Sequence, residues 1–344
     1  MAVTLQQIAD VAGVSRGTVD RALNHRGRIR PEVAERICAI AEELGYKPNA
    51  GGRALALLKK KRTIGVIQQF ADTPFIIELD KGIREAQEEI ERYGCVVEIQ
   101  RIDGVDVDKA VGFMRDFRER GVSAIALVAT DHERIRQEIH ACRENGIPVV
   151  TFNSDLSGSE RIAFFGQDAE KSGRTAAGIM EDILPDDGAV VVLSGLDNST
   201  IQNERVRGFC DVLRHSKKHI RIADIRYTGE TVSGMRRQME ELLAAVPDLA
   251  GIYMNAQGKD DLCQLLKDRG LDQKLRLIVN DLVACRREYI EDGTIDYVID
   301  EESFVQGHEP IMTLFHLLYD GEMPKEETNF TEIKIISRHN IPKS

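Results

Sequence analysis

Three groups of residues in this chain have types and spacings that could do chemistry. Gly13, Val14, Ser15, Arg16 and Gly17 spell G-x-S-x-G, the pattern in which a serine on a sharp turn acts as a nucleophile. That chemistry needs a strand before the serine and a helix after it. The periodicity before Gly13 is helical, so Ser15 reads as a helix cap in a turn. The six cysteines, Cys38, Cys95, Cys142, Cys210, Cys263 and Cys285, are scattered, with no C-x-x-C and no histidine at zinc-ligand spacing. They are expected to be reduced packing residues. No G-x-G-x-x-G follows a strand, and neither a P-loop nor H-E-x-x-H occurs, so neither a cofactor nor a metal is expected and catalysis is disfavoured. Arg16 and Arg21 offer a different chemistry. A guanidinium fork matches the acceptor edge of guanine, and with Gly17, Thr18 and Asp20 these arginines would form the base-reading surface of a short helix.

The charge distribution supports that reading. The chain of 344 residues carries a net charge of −11, but residues 1–62 hold 12 Lys/Arg against 6 Asp/Glu, while the rest holds 34 against 51. A basic module of +6 is thus joined to an acidic body of −17, and phosphate would attract the first and repel the second. With 42% hydrophobic residues there is enough apolar surface for substantial cores. The amino terminus lacks the basic and apolar runs of a secretory signal, and no segment approaches membrane-spanning length, so a cytoplasmic protein away from membranes is expected.

These residues must be positioned by particular elements. Leu5, Ile8, Ala9 and Ala12 share a helix face, Gly13 supplies a turn, and Ser15 caps a second helix with Val19, Ala22 and Leu23 as its apolar side. Pro31 suits the first position of a third helix with the stripe Ala34, Ile37, Ala41 and Leu44, ending at Gly45. Three short helices with a tight turn between the first two make a helix-turn-helix headpiece. Residues 48–62 read as a hinge: Ala50, Ala54, Leu55 and Leu58 would make one or two helical turns, weakened by Gly51 and Gly52 at about 1 kcal/mol each, so the segment needs a partner to order. From Thr63 onward, strands at 64–68, 96–101, 124–129, 148–152, 162–165, 189–193, 222–227, 251–254, 275–279 and 296–299 alternate with helices such as 75–92, 107–120, 168–184 and 205–216. Such alternation specifies parallel sheets covered by helices. Ten strands are many for one sheet. A division near 155–159 predicts two doubly wound lobes with a ligand cleft at the strands' carboxyl ends. Asp168 is expected to be a helix N-cap.

From Thr4 to Asn24, through Glu43-Leu44-Gly45-Tyr46-Lys47-Pro48-Asn49, to Thr63-Ile64-Gly65-Val66-Ile67, the sequence resembles the lactose-repressor (LacI/GalR) family of transcription regulators. The resemblance covers essentially the whole chain. It implies an all-α helix-turn-helix headpiece at 1–47, a hinge at 48–62, and a two-lobed α/β periplasmic-binding-protein-like domain at 63–344. The first lobe is expected at about 63–164 and 300–324, the second at 165–299 and 325–344. It implies DNA contacts at Thr4, Ser15, Arg16, Gly17, Thr18, Asp20, Arg21, Asn24, Arg28 and Asn49, with Leu55 as a hinge leucine that wedges into the minor groove. Gly17 stands where the family often has a larger reading residue, which implies an individual base preference.

In the body the resemblance is to the ribose-binding-protein-like branch. It places Arg205 and Asp281 in the cleft as hydrogen-bonding partners of a ligand, with Phe75 and Asn153 contributed by the first lobe. Asn255 lies in a loop that departs from the usual Asn-Asp pair, and Glu301 stands where relatives often carry glutamine. The expected partners are a palindromic operator DNA, a small sugar-like effector and a second copy of the chain in a homodimer. The expected function is an allosterically controlled repressor of a carbohydrate-utilisation operon. A sugar-binding transport receptor would share the lobes but would lack the headpiece, and a two-domain α/β enzyme would show cofactor or nucleophile motifs.

Overall fold

A computed structural model describes residues 3–23, 29–44, 61–69, 73–197, 199–229 and 231–342. The chain divides into two units, residues 1–60 and 61–344.

In the first unit, α1 (Leu5–Ala12), α2 (Arg16–Leu23) and α3 (Pro31–Glu43) enclose a core of Ile8, Ala9, Ala12, Val19, Ala22, Ile37 and Ala41. Thr4 opens α1 with a reciprocal cap: its hydroxyl accepts from Gln7 N at 3.3 Å, and its own N–H donates to Gln7 Oε1 at 2.8 Å. Gly13 turns the chain with φ of 66°, a conformation that favours glycine. Ser15 then accepts from the Thr18 N–H at 3.1 Å, as its capping role requires. Arg36 donates to the Ala12 carbonyl at 2.8 Å and ties α3 to the end of α1. Leu44, expected in the buried stripe, is exposed, because the helix has ended one residue before it.

The second unit contains β1 (Arg62–Gln68), α4 (Pro74–Glu91), β2 (Cys95–Arg101), α5 (Val107–Glu119), β3 (Ala124–Leu127), α6 (Glu133–Glu144), β4 (Val149–Phe152) and β5 (Ala163–Gly166). It continues with α7 (Ala169–Ile183), β6 (Asp187–Ser194), α8 (Thr200–Arg214), β7 (His219–Tyr227), α9 (Val232–Ala245), β8 (Leu249–Asn255), α10 (Lys259–Asp268) and β9 (Arg276–Asn280). The last elements are α11 (Arg287–Glu291), β10 (Tyr297–Asp300), α12 (Ser303–Asp320), β11 (Thr328–Phe330) and β12 (Lys334–Ile336). Two sheets form, ordered β11-β5-β4-β3-β1-β2 and β12-β10-β9-β8-β6-β7. Each repeats the doubly wound order in which ligands bind beyond the carboxyl ends of the strands. β12 runs antiparallel to β10, and every other described pairing is parallel.

Strand pairing corrects three of the expected boundaries. Arg62, assigned to the hinge, is the first residue of β1. β5 pairs with β4, so the first sheet continues past 155–159 and the chain leaves it only after Gly166. β11, expected in the second lobe with the rest of 325–344, pairs with β5 in the first. The chain therefore crosses between lobes after β5, after β10 and after β11. The crossovers are bonded to one another: Gln167 donates to the Asp300 carbonyl at 3.0 Å, and Thr331 donates from its N–H to Gly166 O at 2.8 Å.

Candidate functional site

In the headpiece, α2 presents Arg16, Gly17, Asp20 and Arg21 on its exposed face, with Thr18 half-buried beside them and Ser15 and Thr4 exposed nearby. Val19 and Ala22 turn the opposite face into the core, which fixes which side chains face outward. Arg21 Nε donates to the Gly17 carbonyl at 3.0 Å, one turn back along the same face. Ser15 follows a helix, not a strand, so the nucleophile geometry of G-x-S-x-G is not built here. Asn24, Arg28, Asn49 and Leu55 lie outside the described residues.

In the body, all six residues expected at the effector line one cavity of about 80 Å³. They reach it from different elements. Phe75 stands in the first turn of α4, which Thr73 caps. Asn153 follows β4, Asn255 ends β8, Asp281 follows β9, and Glu301 follows β10 at the crossover. Arg205 enters from α8, buried to 4% exposure. The described non-glycine residues with positive φ are Asn153 at 61°, Asp281 at 65° and Glu302 at 55°. Left-handed backbone at such residues costs about 1–3 kcal/mol and persists where the surroundings impose it, commonly at binding sites. Here it turns two cleft side chains away from the path of their strands. A wider cavity of about 300 Å³ adjoins the first through Asn153 and Ile201 and is lined in part by Phe164, Gln167 and Glu204.

The floor of the inner cavity is ionic and incompletely satisfied. Arg205 Nη2 abuts a Glu301 carboxyl oxygen, and Lys259 Nζ stands 3.4 Å from Asp281 Oδ2. Arg205 Nε, Asn255 Oδ1, Asp281 Oδ1 and Glu301 Oε2 are buried without a hydrogen-bond partner. Buried polar atoms normally find partners, so a cluster of orphans around one cavity marks a place for a polar ligand. Burial pushes the Glu301 carboxyl well above the usual range, and the Asp281 carboxyl adds to that against the pull of Arg205. Asp281 goes the other way, to about 2: burial opposes its charge, but Lys259, the Glu301 carboxyl and Arg205 together outweigh it. Lys259 was not anticipated from sequence. It is 2% exposed at the start of α10, and nothing in its local pattern marks a buried lysine. Asp168 is the N-cap of α7, accepting from Lys171 N at 2.9 Å.

Fold and site together define a two-lobed, ligand-binding body joined in one chain to a helix-turn-helix head. The model of the periplasmic binding protein domain matches residues 64–322, and that of bacterial regulatory proteins of the lacI family matches residues 4–49. The chain belongs to the lactose-repressor (LacI/GalR) family of transcription regulators. Among relatives, the ribose import binding protein RbsB of Bacillus subtilis is 26% identical over 241 residues, 65% of this chain and 74% of that one. The ribose operon repressor of the same organism is 24% identical over 249 residues, 72% of this chain and 71% of its own. A crystal structure of a putative LacI transcriptional regulator from Bacteroides fragilis superposes with a TM-score of 0.71 at 22% identity, covering 82% of this chain and 98% of that one. At that identity the likeness concerns the fold.

Proposed function

We propose that this chain is a sequence-specific, DNA-binding repressor of a carbohydrate-utilisation operon, controlled by a small hydroxyl-rich effector bound between the lobes. The observation that carries the effector reading is the cluster of buried, unpartnered donors and acceptors around a cavity lined by Phe75, Asn153, Arg205, Asn255, Asp281 and Glu301. Sugar hydroxyls both donate and accept, and would satisfy Arg205 Nε and Asn255 Oδ1 at once. Relatives named as a ribose binding protein and a ribose operon repressor support the sugar class. Residues of the first lobe, Phe75 and Asn153, face residues of the second across the cleft, so a ligand touching both favours the closed arrangement.

The head would use Arg16 on a guanine edge, with Thr4, Ser15, Asn24, Arg28 and Asn49 setting its register on the backbone, and Leu55 wedged into the minor groove. Two copies would bind the halves of a palindromic operator as a cytoplasmic, nucleoid-associated homodimer. Lobe closure would reach the DNA through the hinge ahead of β1, where the sequence offers a marginal helix that a few kcal/mol would order or release. A thermal-shift screen with pentoses, hexoses, sugar acids and polyols tests the effector reading. A ligand at about 100 times its Kd should stabilise the native state by about 2.7 kcal/mol. The stabilisation should vanish in Arg205→Ala and Asp281→Ala, and silence across the panel would overturn the sugar-like effector.

A further inference from the structure

Lys259 is buried beside the cleft, 2% exposed, without lining the inner cavity. Local physics opposes a lysine at this place on two counts. Burying an ammonium is costly even when it is paired, and a cation in the first turn lies at the wrong end of a helix dipole. Lys259 is the first residue of α10, whose other first-turn charges, Asp260 and Asp261, have the favourable sign. The turn that leads into it is demanding as well: Gly258 has φ of 91°, a conformation that favours glycine. Residues that break local rules in this way concentrate at functional sites.

Lys259 Nζ stands 3.4 Å from Asp281 Oδ2 and, among the described residues, is the one cation in ion-pair contact with that carboxylate. The backbone of Asp281 is held too. Its N–H donates to the Ile299 carbonyl at 3.0 Å, its own carbonyl accepts from Ala284 N at 3.2 Å, and its φ is 65°. What remains is Oδ1, buried and without a hydrogen-bond partner on a residue that lines the inner cavity. The groups around Asp281 make the ammonium necessary. Glu301 and Asp300 lie within charge range and are acidic, Arg205 is drawn to Glu301, and Asp260 is engaged by Arg286 at 2.9 Å. Asp168 and Glu204, around the adjoining cavity, are acidic as well. In such surroundings a buried carboxylate stays ionised only with a cation against it. The protonation of Glu301 does not decide whether Oδ1 is available, since a carboxylate oxygen accepts more than one hydrogen bond.

We propose that Lys259 is a positioning residue of the effector site: it pins Asp281 through Oδ2 as a carboxylate and leaves Oδ1 as an acceptor-only contact that a ligand hydroxyl must satisfy. The role rests on the reading of the cleft as the effector site and deepens it. The ligand selected is a polyhydroxylated molecule with a free O–H at that point. An analogue with hydrogen or fluorine in its place leaves a buried, charged acceptor unpaired and is rejected. Without Lys259, Arg205 is the one cation among these residues left for two buried carboxyls, and a proton enters the pair. Asp281 can then donate as well as accept, and the demand for a donor hydroxyl relaxes.

Isothermal titration of the full chain at pH 7 tests this with D-ribose, D-xylose, D-glucose, D-galactose, D-glucuronate and D-glucitol and, for the tightest binder, its monodeoxy and monodeoxyfluoro analogues. At the hydroxyl that meets Asp281, the parent should bind the wild type on the order of 100-fold more tightly than the altered analogues, as expected for a hydrogen bond to a charged group. Lys259→Met should lower the ratio at that one position to about 10-fold or less, the value of a neutral hydrogen bond, and leave the ratios at other positions as they are. Lys259→Arg, which keeps a cation there, should retain more of the ratio than Lys259→Met. Ratios unchanged at every position in Lys259→Met, whether or not overall affinity falls, would leave a purely structural lysine and overturn the proposal while the effector reading stands. If Lys259→Met loses the wild-type circular dichroism spectrum, the double variant Lys259→Met/Asp281→Asn, which leaves neither charge of the pair behind, is compared with Asp281→Asn. Equal ratios in the two would support the role, and a further fall in the double variant would place Lys259 on the ligand itself and overturn it. Binding by none of the six compounds would overturn the sugar-like effector and this role together.

Discussion

Alanine at Gly173 probes how the fold holds Arg205 in place. Helices α7 and α8 cross at a point of backbone contact: a Cβ at Gly173 would lie 2.0 Å from the Arg205 carbonyl oxygen and 2.7 Å from its carbon. Gly208 of α8 is its counterpart, with a built Cβ 2.1 Å from the Glu170 carbonyl oxygen. Since the obstacle is backbone, no rotamer relieves it, and the helices must part by roughly 1 Å to restore an ordinary contact in an interior with no slack. Overpacking of this kind costs typically 1–3 kcal/mol, and a backbone clash belongs at the upper end, about 3 kcal/mol. Gly178 on the same helix is the control, because a Cβ there meets nothing within 4 Å. Gly178→Ala should stabilise by about 0.5–1 kcal/mol through helix propensity alone. Urea unfolding followed by far-UV circular dichroism reads both, the chain having no tryptophan. Gly173→Ala should also weaken effector binding, because the residue pushed is the one that carries the guanidinium. A Gly173→Ala protein within 0.5 kcal/mol of wild type, or a Gly178→Ala protein less stable than it, would refute this account of the crossing.

Three further predictions follow from the head and the cleft. Arg16→Ala should lower operator affinity by about 1–3 kcal/mol and relax sequence preference at one base pair per half-site, read by binding to a randomised operator library. Ser15→Ala removes the side-chain acceptor of the Thr18 N–H, leaving it the Ser15 carbonyl at 2.8 Å, and should cost the headpiece about 1 kcal/mol, visible as faster amide exchange at Thr18; unchanged exchange would contradict the cap. The two cleft carboxyls should give opposite pH dependences. Glu301, raised in the folded state by burial, contributes stability that is present below the ordinary carboxyl range and lost as pH rises towards its folded value, so Glu301→Gln should flatten the decline above that range. Asp281, held at about 2 by Lys259, Glu301 and Arg205 despite its burial, contributes stability that is present above its ordinary 3.8 and lost as pH falls from there to about 2; Asp281→Asn should remove that acid-side loss in denaturant midpoints measured across the range.

The ten strands that alternate with helices were legible because most carry apolar residues, many β-branched, between turn signals, and each is found near its expected place. β11 and β12 were not. Both have three residues and sit at sheet edges, and Thr328–Phe330 shows no buried face to read, so its pairing with β5 depends on where the crossovers bring it. The same holds for the lobe boundary, since the loop at 155–159 looks like a division while the pairing of β5 with β4 places the division later. In the cleft, Arg205, Asp281 and Glu301 could be named singly from resemblance. The contact of Arg205 with Glu301 could not, because it joins residues 96 positions apart, and the pairing of Asp281 with Lys259 rests on a lysine whose sequence surroundings read as an exposed helix start. In the head, Gly13 and the Ser15 cap mark where α2 begins and the apolar Val19 and Ala22 fix which face is buried, and for that reason its surface was readable in advance.

The central claim is that a ligand in the cleft and DNA on the head are coupled. The direct measurement is the affinity of the full chain for an operator selected from random DNA, by fluorescence anisotropy, with and without saturating effector from the thermal-shift screen. The account predicts a change of 5–150-fold, the range of typical coupling free energies of about 1–3 kcal/mol, with the same factor appearing in effector affinity when operator is saturating. An operator affinity unmoved by an effector that demonstrably fills the cleft would contradict it.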